Sequence, residues 1–159
     1  MKTADLVDRY DDRTEFCNLT LPNFGGATAF HGPVVTVKCH EDNVLLRSCL
    51  SEPGEGRVLV VDGGGSTRCA VVGDLIASLA QRNGWVGLVI NGCVRDVATL
   101  RDIPIGIRAL GSSPKKSGKR GFGERDVPVR FGGVWFRTGN WLYSDEDGVL
   151  LAADRLDLD

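Results

Sequence analysis

Residues 57–96 read RVLVVDGGGSTRCAVVGDLIASLAQRNGWVGLVINGCVRD, and the reading of this stretch decides the fold. RVLVVD, 57–62, is a continuous apolar run stopped by Gly63-Gly64-Gly65, the pattern of a strand buried on both faces. DLIASLAQ, 74–81, carries apolar residues at helical spacing behind an aspartate, so a helix is predicted there. WVGLVIN, 85–91, reads as a second buried strand. Strand, helix and strand form a β-α-β unit, a connection that is almost always right-handed.

That unit places chemistry as well as backbone. The helix runs antiparallel to both strands, so its N-terminus lies beside their C-terminal ends. It descends roughly 12 Å, and the strand over 85–91 climbs back about 20 Å. Gly73-Asp74 and Arg95-Asp96 are therefore expected on one edge, together with Asp62 and the three glycines. Open α/β sheets place ligands at the carboxyl ends of their strands. The backbone N–H groups of Gly73, Asp74, Leu75 and Ile76 at a helix start suit a carboxylate or phosphate. Arg95 offers a planar fork for a carboxylate. Asp74 and Asp96 are hard oxygen donors of the kind Mg²⁺ or Mn²⁺ accepts. Aspartate is also among the best N-caps, and Asp96 is placed to begin a short helix through Leu100. Spacing alone leaves both readings open, caps or a metal-carboxylate site.

The alternation extends outward on both sides. A short helix is expected over 3–9, irregular chain to residue 29, a strand over 33–39 (PVVTVKC) and a helix over 42–50 capped by Asp42. IPIGIRAL, 103–110, is a further strand. GSSPKKSGKRGFGERD, 111–126, reads as a polar loop, and beyond it the period changes to two. VPVRF, VWFRTG and VLLA are then hairpin strands, with turns at Gly132-Gly133 and Asp147-Gly148. The expected class is α/β with a mixed or layered sheet and a C-terminal antiparallel β section.

Composition narrows the function classes. A chain of 159 residues is most economically one domain, 1–159. A net charge of −2 gives no field for nucleic acid or an anionic membrane. No apolar stretch approaches a membrane span, and MKTADLVDRYDD lacks the apolar core of a signal peptide. Five cysteines without a C-x-x-C spacing read as reduced, buried residues of a cytoplasmic protein.

Across nearly its whole length the chain resembles the RraA-like family, which includes regulators of ribonuclease E activity and class II 4-hydroxy-4-methyl-2-oxoglutarate aldolases. The likeness lies in NFGGATAFHGPVVTVKC, EDNVLL, GRVLVVDGGGS, GLVINGCVRD, IPIGIRALG, GERDVPVRFGGV and LYSDEDGVLL. The aldolase signature, Gly-Asp and then Arg-Asp after twenty residues, is matched by Gly73-Asp74 and Arg95-Asp96. The resemblance implies a three-layer β/β/α, swivelling-domain-like fold in a homotrimer, with the site near a subunit interface. It implies Asp96 as ligand to a divalent cation, Arg95 as a substrate-binding and catalytic group, and Asp74 as holder of a water or carrier of protons. The backbone of Gly73, Asp74, Leu75 and Ile76 would bind the carboxylate of a small 2-oxo acid. Aldol cleavage to pyruvate would follow, with oxaloacetate decarboxylation as a side activity. The alternative is a non-enzymatic partner that inhibits ribonuclease E. Members best known for that role often lack the acidic positions, and this chain keeps both.

Other signals carry less. GGGSTR fails the dinucleotide pattern because Arg68 stands at the third glycine, and SPKKSGKR fails the phosphate-loop pattern at Ser113 and Arg120. Nothing reads as the nucleoside-cofactor site of a methyltransferase. No lysine has an evident cause for a depressed pKa, so Schiff-base chemistry is not expected. Residues 115–120 read as a solvated loop rather than a nucleic-acid patch, and one able to contribute a cation to a neighbouring subunit's site. His31, His40, Trp85, Trp135 and Trp141 read as structural.

Overall fold

The computed structural model describes all 159 residues. Helix α1 (Thr3–Arg9) and a 3-10 turn (Asp11–Arg13) precede β1 (Thr14–Cys17). The α/β part comprises β2 (Phe30–Lys38), α2 (Val44–Leu50), β3 (Val58–Asp62), β4 (Ala70–Val72), α3 (Asp74–Arg82), β5 (Gly87–Val94), α4 (Val97–Leu100) and β6 (Gly106–Ser112). Then come β7 (Glu124–Arg125), β8 (Val129–Phe131), β9 (Val134–Phe136), β10 (Trp141–Asp145) and β11 (Gly148–Ala152).

One mixed sheet of nine strands runs β1-β11-β10-β2-β3-β5-β4, with β6 on the other edge of β5 and β7 on β2. The strands β2, β3, β5, β4 and β6 are mutually parallel where they pair, whereas β1, β11 and β10 are antiparallel. β2 joins the two halves: Phe30–Pro33 pair with β10, and Val34–Lys38 pair with β3. This explains why the strand starts before the expected residue 33, since a partner more than a hundred residues away leaves no local mark.

β3 decides the layering, as its apolar run predicts. Leu59 and Val61 face a core shared with Leu46 and Leu50 of α2 and with Ile76, Ala77 and Ala80 of α3. Val58 and Val60 face a second core with Phe131 and Phe136 of the separate β8-β9 hairpin and Leu142 of β10. Helices, sheet and hairpin thus make the three layers expected from the resemblance. Within the second core, Gly87 and Gly106 are register partners on β5 and β6. A Cβ on either would lie 2.3 or 2.0 Å from the Phe30 ring, so the glycine pair forms the bed on which that ring rests. At the N-terminus α1 is latched to β10, because the Thr3 N–H and hydroxyl donate to Asp145 at 2.7 and 2.6 Å.

Several expectations need correction. The irregular span before residue 29 contains β1, whose partner is β11. Its exposed Phe16 breaks the alternation that would have announced a strand. Helix α2 begins at Val44 with Asn43 at the cap position, and Asp42 instead accepts from the Val44 N–H at 3.1 Å. β6 begins at Gly106, because Ile103 and Ile105 enter the core from a loop. The turn between β10 and β11 is Glu146-Asp147, with Asp145 paired to Gly148. The strand expected over 85–91 runs on to Val94, and β4 was not foreseen at all.

Candidate functional site

The unforeseen β4 builds the site. Residues 87–91 of β5 pair with β3, and Cys93 and Val94 pair with β4, while β6 holds the opposite edge. β4 therefore takes over the edge of β5 where β3 stops, and carries the chain beyond the glycine turn before α3 begins. Val72 stands opposite Val94, and the Arg95 N–H donates to the Val72 carbonyl at 3.0 Å. Gly73-Asp74 and Arg95-Asp96 are thereby brought together.

Asp62 and the three glycines do not reach this point, contrary to expectation. Asp62 pairs with Asn91, and its Oδ1 accepts from the Gly64 N–H and the Asn91 amide, each at 3.0 Å. The N–H groups of Gly63 and Gly65 both donate to the Asn91 carbonyl. All three amides of the turn are used within the turn, and none is left for an anion.

At the motif itself the contacts are close. The backbone N–H of Asp74 donates to Asp96 Oδ2 at 3.1 Å, and the Leu75 N–H donates to Asp74 Oδ1 at 2.9 Å. A Cβ at Gly73 would stand 2.6 Å from Asp96 Oδ2 and 3.3 Å from Arg95 Cγ. The φ of −126° is open to any residue, so glycine matters there through that approach: a side chain would have to displace Asp96. Asp96 adopts the left-handed conformation, φ 60°, ψ 39°, an uncommon state that aspartate tolerates better than most residues.

The capping question now has an answer. Gly73 is the cap residue of α3, and Asp74 is its first helical residue. Asp96 holds the cap position of α4 but makes no side-chain bond to that helix. Its carboxylate caps α3 instead. Ile76 is buried in the core, and Leu75 points outward with 75% of its surface exposed, so both can serve a ligand only through their backbone.

The pocket, about 100 Å³, is lined by all the residues expected there, Gly73, Asp74, Leu75, Ile76, Arg95 and Asp96. Asn43, Arg47, Lys116, Ser117 and Lys119 also line it, and these were not foreseen as its members. The 115–120 stretch is exposed apart from Ser117, as a solvated loop should be, but its backbone is anchored. Ala70 N–H donates to Lys115 O at 2.8 Å, and Gly118 N–H donates to Glu41 O at 2.8 Å. Asp42 Oδ2 accepts from the Arg120 and Gly121 N–H groups at 2.6 and 3.0 Å. Lys119 Nζ donates to Asn43 Oδ1 at 3.3 Å. Lys116 and Lys119 thus line the pocket of their own chain. No sequence signal announced this, because Asp42 and Arg120 stand 78 residues apart.

Burial works against the Asp42 carboxylate, but the backbone donors of Val44, Arg120, Gly121 and Phe122 outweigh it and hold its pKa below the ordinary value. Burial, with Asp42 and Asp62 adding, pushes the Cys39 thiol up to about 12, so it offers no thiolate at neutral pH. Nowhere do three or more His, Cys, Asp or Glu side chains gather to hold a metal. A cation here would rely on Asp96 and Asp74, with water and substrate supplying the remaining oxygens. Mg²⁺ is commonly held by one or two carboxylates in that way, so the donor set fits. A larger cavity, about 500 Å³, lies between β1, β11 and the β9–β10 segment. Of its two arginines, Arg137 stacks on Trp135 and Arg13 on Tyr10, outside the cavity, and it gathers no motif residue.

A family model described as RraA-like, Aldolase/RraA, matches residues 3–151. A protein of Alkalilimnicola ehrlichii is 55% identical over 97% of this chain and 96% of its own. One from Laribacter hongkongensis is 54% identical over 97% of each. Both carry the name 4-hydroxy-4-methyl-2-oxoglutarate aldolase as a provisional one. Among solved structures, the RNA-processing inhibitor RraA from Thermus thermophilis superposes with a TM-score of 0.96 at 45% identity, over 99% of this chain and 96% of that one. A Geobacillus kaustophilus protein titled an S-adenosylmethionine:2-dimethylmenaquinone methyltransferase gives 0.97 at 47% identity, over 98% and 97%.

Proposed function

The chain belongs to the RraA-like family, and on that premise we propose that it is a divalent-metal-dependent aldolase. Its substrate would be 4-hydroxy-4-methyl-2-oxoglutarate, cleaved to two pyruvates, with oxaloacetate decarboxylation as a side activity. The observation that carries this reading is the Asp96 carboxylate seated on the Asp74 N–H, which joins both halves of the motif in one pocket. The aldolase names of relatives at 52–55% identity support it.

The chain's own groups account for the steps. The α3 N-terminus, Gly73 to Ile76, receives the carboxylate next to the 2-oxo group, where the helix dipole favours an anion. Arg95 donates its guanidinium N–H groups toward the 2-oxo oxygen, on which negative charge grows as the C3–C4 bond breaks. Asp74 holds the water that takes the proton of the C4 hydroxyl, so that C4 becomes the carbonyl of the first pyruvate. The bonding electrons pass to C3, and the resulting enolate takes a proton there to become the second pyruvate. A divalent cation, Mg²⁺ or Mn²⁺ held by Asp96, contributes Lewis acidity at the 2-oxo group when bound.

We place the site near a subunit interface of a homotrimer in the cytoplasm. Leu75 on the pocket wall and the nearby Val44 and Phe122 expose apolar surface that a neighbouring subunit would cover. The buried, unpaired state of all five cysteines is compatible with a reducing compartment. No helix is long and apolar enough to cross a membrane. Light scattering on the purified protein tests the trimer.

The deciding assay measures pyruvate release from 4-hydroxy-4-methyl-2-oxoglutarate and from oxaloacetate, with Mg²⁺, with Mn²⁺ and with chelator. Metal-dependent turnover is expected on both, and its absence on both overturns the reading. The name of the Thermus structure favours a second reading, inhibition of ribonuclease E by surface binding. Co-purification with ribonuclease E, and slower RNA cleavage on adding this protein, are the results that reading requires.

A further inference from the structure

Two carboxylates, Asp74 and Asp96, line the pocket against four cations, Arg47, Arg95, Lys116 and Lys119. The carboxylates accept from backbone N–H groups, and none of the four cations is in an ion pair. Elsewhere on the surface the arginines Arg68 and Arg125 do find carboxylates. Arg95 is committed to the reacting end by its place beside Asp96, and Lys119 is engaged by Asn43 Oδ1. Arg47 and Lys116 remain without a partner.

Both stand on anchored backbone. Arg47 is in α2, whose core-facing residues Leu46 and Leu50 are fully buried. Lys116 bridges to Ala70 at the start of β4 and precedes the buried Ser117. The pocket lining therefore carries a reacting end, Gly73 to Ile76 with Arg95, and two free cations from α2 and from the 115–119 segment. A bound divalent cation adds still more positive charge. A dianion offsets more of that excess than a monoanion does.

We propose that Arg47 and Lys116 form a second anion subsite that holds the distal carboxylate of the substrate, and so select 2-oxo dicarboxylates over 2-oxo monocarboxylates. The proposal rests on the site assignment above but not on which bond is broken. A charge-assisted hydrogen bond to a carboxylate is worth about 10- to 100-fold at each residue, before solvent screening of the two exposed side chains lowers it.

The test is calorimetric titration of the full-length, Mg²⁺-loaded protein with 2-oxoglutarate and with 2-oxopentanoate. These have the same chain length, and neither carries the 4-hydroxyl that aldol cleavage needs. Wild type is expected to bind 2-oxoglutarate at least ten-fold more tightly. In the Arg47→Gln, Lys116→Gln double variant the two affinities should converge, through loss on the dicarboxylate alone. Both side chains are exposed, so thermal melting should match wild type and exclude misfolding. A preference retained by the variant, an equal loss on both ligands, or no preference in wild type overturns the proposal. Pyruvate release in the earlier assay separates the two ideas. Turnover without preference removes the subsite alone, and preference without turnover removes the aldolase alone.

Discussion

The Asp96 carboxylate accepts the backbone N–H of Asp74 at 3.1 Å, so one aspartate of the motif caps the helix that the other begins. Structure and chemistry thus share a single side chain, and conservative substitutions can separate them. Asp96→Asn keeps an oxygen for the N–H and tolerates the left-handed backbone, whereas Asp96→Ala keeps neither advantage. Asp96→Ala should lose about 1 kcal/mol in denaturant melts, and Asp96→Asn should stay near wild type. Both should lose metal-dependent turnover, because neither leaves a carboxylate.

Gly73→Ala tests the approach of the two halves. The new Cβ meets side-chain atoms of Asp96 and Arg95 rather than backbone, at 2.6 and 3.3 Å. The fold can yield by moving those groups, so melting should change little. Displacements near 1 Å at reacting groups can cost about 100-fold, and kcat/KM should fall by an amount of that order.

Asp42 makes the loop acid-sensitive. Burial opposes its ionisation, but the backbone N–H donors prevail and its folded pKa lies below the ordinary value. A carboxyl depressed on folding contributes stability above the unfolded pKa of about 3.9 and loses it as pH falls through the folded value. Amide hydrogen exchange over 115–121 should therefore accelerate below about pH 4. Asp42→Asn should exchange faster at neutral pH and lose that acid step.

The Thr3–Asp145 latch predicts local unfolding. Burial again works to raise the Asp145 pKa, and bonds from Thr3, the Asp147 N–H and the charge of Arg108 outweigh it. Asp145→Ala should free α1 for limited proteolysis near the N-terminus. Turnover should persist, because no residue of α1 lines the pocket.

Gly106→Ala should destabilise the fold by about 1–3 kcal/mol, the usual range for an overpacked core. The added methyl collides with the Phe30 ring rather than with anything near Asp96. Chemical denaturation should show the loss, with kcat/KM retained in the protein that remains folded.

Much of this was legible along the chain. Val58 to Val61 form an apolar run with no polar face, and only a strand packed on both sides satisfies it. Asp74 to Arg82 carry one apolar stripe, and Gly132-Gly133 supply the two positive φ values of a tight hairpin turn. These are local properties, and the structure agrees with them. β1 and β4 were not legible, because each is short and defined by a partner rather than by its own pattern.

The sequence by itself determined the β-α-β unit and led to the expectation that Gly73-Asp74 and Arg95-Asp96 share one edge, because periodicity and element lengths are local properties. The pairing of β4 with β5 completes that approach. Tertiary structure alone decided what surrounds that meeting point. Asn43 and Arg47 meet Lys116, Ser117 and Lys119 at the pocket, and Asp42 helps tie the two segments by accepting the backbone N–H groups of Arg120 and Gly121, 78 and 79 residues further along. A hydrogen bond over that separation has no periodicity to betray it.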